Sequence, residues 1–250
     1  MKKLLYLFFL LVHITMFSQK EYQGKAIYIY KEIVDIDNLA KTNKVSKQEA
    51  KQLVENMKHL LEKKYILSFN KTSSIYKQEV ALAKPSIGKG QGGFAGNNPD
   101  VLYKNIQEKK SFEGTEIMGK RFLVYEDLEK PNWELTNETR QIGNYTVYKA
   151  TMLKKSNITE SEKILVTAWY TLQFPVSHGP AEYWGLPGLI LEINYGNYQF
   201  LCSEIVLNPS KEIKIEKPSR GEKIEREDYI KLKRKKWLEY LESRKKTSKN

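Results

Sequence analysis

Cysteine, histidine and long apolar runs are all scarce in this chain, and each scarcity closes a class of function. There is one cysteine, Cys202, so no intrachain disulfide can form. A lone cysteine in an exported chain is expected to be buried. There are three histidines, His13, His59 and His178. A metal centre of imidazole and thiolate needs several ligands close together. The acidic pairs Asp35–Asp37 and Glu126–Asp127 lack the ordered series of oxygen ligands that holds calcium. No metal and no cofactor are therefore expected. The one sustained apolar run is Leu4–Ile14, too short to cross a bilayer comfortably. Glycine clusters in one place, Pro85–Pro99, where the spacing G-K-G-x-G-G invites a phosphate-binding reading. A phosphate cradle needs a helix after the glycines, and no apolar helical pattern follows, so a flexible loop is expected.

Charge is plentiful but uneven. The chain of 250 residues carries a formal net charge of +12. Lys211–Asn250 alone holds 15 Lys and Arg against 8 Asp and Glu, and Lys2 and Lys3 add two more positive charges. The basic balance describes a tail rather than a whole face. Lys2 and Lys3 followed by Leu4–Ile14 and by the small residue Ser18 form a secretory signal pattern over Met1–Ser18. With no cysteine near that point the chain is not expected to be a lipoprotein. The expectation is an exported protein of the cell envelope, periplasmic or extracellular, with no transmembrane segment after cleavage.

Sixteen Tyr, nine Phe and four Trp lean towards β-structure, since flat rings suit a half-buried pleated surface. Alternation of apolar and polar residues predicts strands at Gln23–Val34, Tyr65–Phe69, Ser74–Ala83, Val101–Ile106, Lys109–Ile117, Arg121–Tyr125, Gly143–Leu153, Ile164–Leu172 and Tyr198–Leu207. Trp133–Leu135 reads as a short strand followed by a polar turn, Thr136–Arg140. Lys211–Ile215 reads as an edge strand. Asp35–Lys44 reads as a turn-rich segment. One inserted helix is predicted at about 46–64, with Ser46 and Glu49 as a capping box and Leu53, Met57, Leu60 and Leu61 at helical spacing. His59, alone on that helix, reads as a surface or boundary residue. Arg226–Lys246 reads as a basic C-terminal helix. The fold class is mainly β: a curved antiparallel sheet or partial barrel, with a β domain over 19–215 and a helical tail over 216–250.

The most specific stretch is Ala168–Ile193, in which an aromatic strand runs through a Pro/Gly corner into an apolar strand. Pro187 suits position i+1 of a type II turn, and Gly188 suits the positive φ of position i+2. Leu189–Ile193 is apolar on both faces and predicts burial on both sides. Trp169, Tyr170, Tyr183 and Trp184 flank the corner and, with His178, form the candidate ligand-binding rim. Core packing is the competing reading of those rings. Ser177-His178 does not make a catalytic dyad, because adjacent residues on an extended loop point apart. A hydrolase would have to pair His178 with Glu182 or Glu192.

These residues carry a resemblance. Gly185, Leu186, Pro187, Gly188, Leu189 and Ile190 spell the string that names the GLPGLI family of exported Bacteroidetes proteins, and the chain resembles that family over roughly Gln23 to Leu207. Trp133–Thr136, Ile142-Gly143, Lys149–Thr151, Ala168–Thr171, Pro175-Val176 and Gly179-Pro180 look like its other blocks, and Tyr103–Asn105 and Gly119–Phe122 like its weaker amino-terminal part. Val147 stands where many members look to have cysteine. The resemblance implies an exported β-rich protein of uncharacterised function. It is more distantly similar to the bowl-shaped amino-terminal domain of a secreted peptide-N-glycosidase. No catalytic residues come with it. The function expected is a non-catalytic binding or accessory module with an envelope protein, peptide or lipid as partner and no nucleic acid. The alternatives are the hydrolase on His178 and membrane-surface association through the basic tail.

Overall fold

A computed structural model describes residues 22–79, 100–155 and 163–247. The signal pattern and the glycine-rich segment 85–99 lie outside those residues. Twelve strands form one open sheet: β1 (Gln23–Glu32), β2 (Glu62–Asn70), β3 (Ser73–Gln78), β4 (Val101–Asn105), β5 (Lys110–Ile117), β6 (Lys120–Asp127), β7 (Glu134–Ile142), β8 (Tyr145–Lys155), β9 (Lys163–Thr171), β10 (Leu189–Tyr195), β11 (Tyr198–Leu207) and β12 (Glu222–Glu225). Their order across the sheet is β12-β6-β5-β4-β3-β2-β1-β11-β10-β9-β8-β7. The sheet does not close, so β12 and β7 are its edges. Every pairing is antiparallel except β12 with β6.

Four helical segments accompany the sheet: α1 (Ile36–Asn43), α2 (Lys47–Asn56), α3 (Lys58–Leu61) and α4 (Arg226–Thr247). The capping box at Ser46 and Glu49 forms, each side chain bonded to the other residue's backbone N–H. The expected helix over 46–64 is shorter: it breaks at Met57, and the chain becomes strand at Glu62. The segment expected to be turn-rich holds α1 instead. Asp35 caps it by accepting from the N–H groups of Asp37 and Asn38, and Lys44 ends it with φ 53°. Asp and Asn serve turns and helix caps equally well, so composition alone cannot separate the two.

Two further expectations change. Thr136–Arg140 is part of β7, an edge strand whose side chains are mostly exposed, so it carries no apolar alternation to read. Lys211–Ile215 alternates but is no strand. β1 is already paired on both sides, by β2 and β11, which leaves no open edge there. Ile213 N–H is satisfied instead by the side chain of Gln23. Cys202 is half-buried, and burial pushes its thiol up to about 12.

The core lies on one face. In register, Tyr28 and Leu67 with Ala26, Phe69, Ala168, Ala150 and Ile193 point the same way, and all are buried. Two covers close this face. Over β1–β4 and β8–β11 lies the loop 172–188, which contributes Phe174, Val176, Tyr183 and Leu186. Over β5 and β6 lies the start of α4, whose Tyr229 packs on Ile117, Phe122 and Val124.

Candidate functional site

The loop 172–188 has no regular structure of its own, so its buried backbone polar groups must find partners one by one. Some pair with each other or with the start of β10, as Gly185 N–H does with Ser177 O and Leu189 N–H with Phe174 O, and Lys104 serves three further carbonyls. It sits inward on β4, beside Ser74 of β3 and Ser111 of β5, and is 1% exposed. Its ammonium donates to the carbonyls of Ala181 at 2.6 Å, Tyr183 at 3.2 Å and Gly179 at 3.4 Å. Those three acceptors match the three hydrogens of an ammonium. Burial pushes its pKa down to about 7, against the opposing pull of Glu182 and Glu126.

Other side chains complete the attachment. Tyr28 donates its hydroxyl to Ile190 O at 2.6 Å, and Trp133 Nε1–H donates to Trp184 O at 2.8 Å. His178 is fully buried, with its Nε2 at 3.0 Å from Asn70 O. A carbonyl only accepts, so Nε2 carries the hydrogen and Nδ1 is the bare nitrogen. Nδ1 is buried and meets no partner among the described residues. Burial, reinforced by the Lys104 charge and opposed by the bond to Asn70, pushes the imidazole down to about 3. The ring is neutral at physiological pH and fastens loop to sheet.

At the corner, the need for glycine is real but arises differently from the expected type II turn. Positive φ falls on Gly185, at 90°, and not on Gly188. Gly188 is glycine because a Cβ there would lie 2.0 Å from Thr171 O. The corner thus lies directly on the end of β9, and Leu189–Ile193 leaves it buried on both faces as expected.

The structure places the five rim residues in three environments. Tyr170, Trp184 and His178 are interior. Trp169 points to the opposite face of the sheet, where the Arg140 guanidinium stacks on its ring at 4.2 Å and pairs with Glu192. Tyr183, 1% exposed, is the one that leads to a surface. Its ring meets Tyr195 at 6.5 Å, Tyr195 meets Tyr198 at 5.1 Å, and Tyr198 stacks on Tyr30 at 5.8 Å. Tyr30 meets Tyr65 edge-on, and Tyr65 stacks on Tyr76 at 4.9 Å. Tyr30, Tyr65, Tyr195 and Tyr198 are half-buried, so the cluster is open on one side. Lys154 and Glu182 form an ion pair beside it, with the Lys154 ammonium 5.6 Å from the Tyr183 ring and 5.7 Å from that of Tyr195. The hydroxyls of Tyr76 and Tyr183 are buried without partners among the described residues. The inward alternation of Tyr28 and Tyr30 on β1 hinted at this cluster. Its assembly from five strands and loop 172–188 did not show in the sequence.

Two solved structures share this fold. PNGF-II matches in its C2 crystal form with a TM-score of 0.53 at 14% identity, over 86% of this chain and 33% of that one. Its P21 form matches with a TM-score of 0.51 at 13% identity, over 86% and 34%. The chain thus spans about a third of the length of PNGF-II, and identity this low speaks for the fold alone. No curated protein matches the chain. A family model described as "Protein of unknown function (Porph_ging)" matches residues 133–163 and 153–192. Those matches cover Trp133, Lys154, Trp169, His178, Glu182 and the whole corner, so residues 133–192 carry the signature of the Porph_ging family of proteins of unknown function.

Proposed function

We propose that this chain is an exported, non-catalytic binding or accessory module of the cell envelope, and that its contact surface is the tyrosine cluster beside Lys154 and Glu182. One observation carries the reading. Half-buried rings of Tyr30, Tyr65, Tyr195 and Tyr198 lie against Tyr76 and Tyr183, whose buried hydroxyls have no partner among the described residues, next to a carboxylate–ammonium pair. Rigid rings with polar tips give large contact area at low entropic cost, which suits recognition of a peptide. Export rests on the pattern of Met1–Ser18. His178 supports a non-catalytic reading: its Nε2 is spent on a backbone carbonyl, Glu182 pairs with Lys154, and Glu192 pairs with Arg140 on the other face.

Titration of a panel of soluble peptides tests this. A peptide that binds the unaltered chain should bind the Tyr195→Ala/Tyr198→Ala double variant about tenfold or more weakly. Equal binding by both chains would remove the surface. Cleavage of a peptide, lost on His178→Asn, would replace the module with a hydrolase.

A further inference from the structure

Among the described residues, helix α4 is fastened to the sheet by side chains of its first turns. Arg226 pairs with Glu113 and Glu126, Tyr229 shares a hydrogen bond with Thr115 at 3.2 Å and packs on Phe122, and Leu232 closes the small cluster. The helix then continues to Thr247, about 33 Å in all for its 22 residues. Along that length Ile230, Trp237, Leu238 and Leu241 are exposed at 46%, 45%, 54% and 37%. Ile230, Trp237 and Leu241 fall within about 40° of one another at 3.6 residues per turn, with Leu238 beside them. Lys233 and Arg234 flank this stripe; Glu239, paired with Lys236, falls on the far side and Glu242 beyond Leu238, while Glu227 stands on the stripe's side only in the first turn, which is docked on the sheet. From Arg226 to Thr247 nine Lys and Arg stand against four Asp and Glu.

An exposed tryptophan between leucines, edged by cations, has the chemistry of a lipid interface. The ring and aliphatic side chains enter the headgroup boundary, and the cations meet anionic phosphates. A nucleic acid would use the cations and leave the apolar stripe in water. We infer that α4 is a membrane-contact element that lies on a lipid surface bearing anionic headgroups, while its first turns stay docked on β5 and β6. This surface is separate from the tyrosine cluster and stands or falls without it.

The test uses vesicles of phosphatidylcholine with and without phosphatidylglycerol. The full-length chain should bind the anionic vesicles at least about tenfold more tightly, less so as salt is raised. Trp237 is the reporter: its emission should shift to the blue on binding, and Trp237→Phe should lose that shift. The Trp237→Glu/Leu241→Glu variant should bind about tenfold or more weakly with an unchanged far-ultraviolet spectrum. It differs from the unaltered chain only at those positions, so the amino-terminal apolar run contributes equally to both. Equal vesicle binding by variant and parent, an unshifted Trp237, or a short duplex DNA that displaces the vesicles would overturn the inference.

Discussion

The two covers of the core face solve one problem in opposite ways. Loop 172–188 is irregular, so several of its buried carbonyls need side-chain donors, and Lys104 of β4 and Trp133, just before β7, supply them. Helix α4 satisfies its own backbone, so one aromatic residue and one bridging arginine hold it. The first arrangement buries a charge and tolerates little change. The second leaves most of a helix surface free for another partner. The difference teaches where polar side chains enter a core: under irregular backbone, where main-chain groups pair with each other only in part.

Breaking the tighter cover should cost most. Gly188→Ala puts a methyl group 2.0 Å from Thr171 O, backbone that cannot yield. The expected loss is about 3 kcal/mol or more in a urea titration. Gly196→Ala is the control, because a Cβ there meets nothing within 4 Å and φ is 53°. Its cost should stay at about 1–2 kcal/mol, that of a left-handed backbone alone. Equal losses at the two positions would show that the contact at Gly188 is not what the corner depends on.

Next comes the buried charge. Lys104→Met removes a desolvated ammonium but orphans three carbonyls, for a net loss of about 2–4 kcal/mol. Its pH dependence has a definite sign. The folded value is depressed to about 7, and the unfolded chain holds the proton up to about 10.4. Between those values the unfolded state binds more protons, so this lysine makes stability rise with pH across that window. Denaturation midpoints at pH 7, 8 and 9 should show a rise in the parent that Lys104→Met lacks. An identical slope in both chains would take Lys104 out of that role.

The looser cover should give the smallest global effect. Tyr229→Ala empties the cluster under α4, and the helix should lose hydrogen-exchange protection on its own. Strands β1 and β10 should keep theirs, and the main unfolding transition should move by less than about 1 kcal/mol. A comparable loss of protection in β10 would mean that the two covers fold as one.

Much of this fold was legible from local pattern. The strands β1–β6, β8, β9 and β11 follow period-two alternation, β10 showed as an apolar run, and the capping box marked the start of α2 to the residue. What escaped was decided by neighbours. The polar edge strand β7 exists because β8 offers it a ladder, and Lys211–Ile215 forms no strand beside β1 because β1 is already paired on both sides. The candidate site was legible only in part. The aromatic corner was visible, but the side of the sheet taken by each ring was not, so Trp169 stood with its neighbour Tyr170 on one rim although a strand sends adjacent residues to opposite faces. Lys104 looked like any strand lysine until the register set it under the loop.

By itself, then, the sequence determined the strand periodicity, the two-sided burial of Leu189–Ile193, the basic carboxyl-terminal helix and a requirement for glycine at the corner. Only the tertiary structure decided why Gly188 must be glycine, that His178 fastens a loop, that a lysine is buried, and that four tyrosines from four strands meet. The division has a physical cause. Periodicity and burial are properties of neighbouring residues along one chain segment, whereas a partner for a buried polar group comes from whichever distant strand the register brings beneath it.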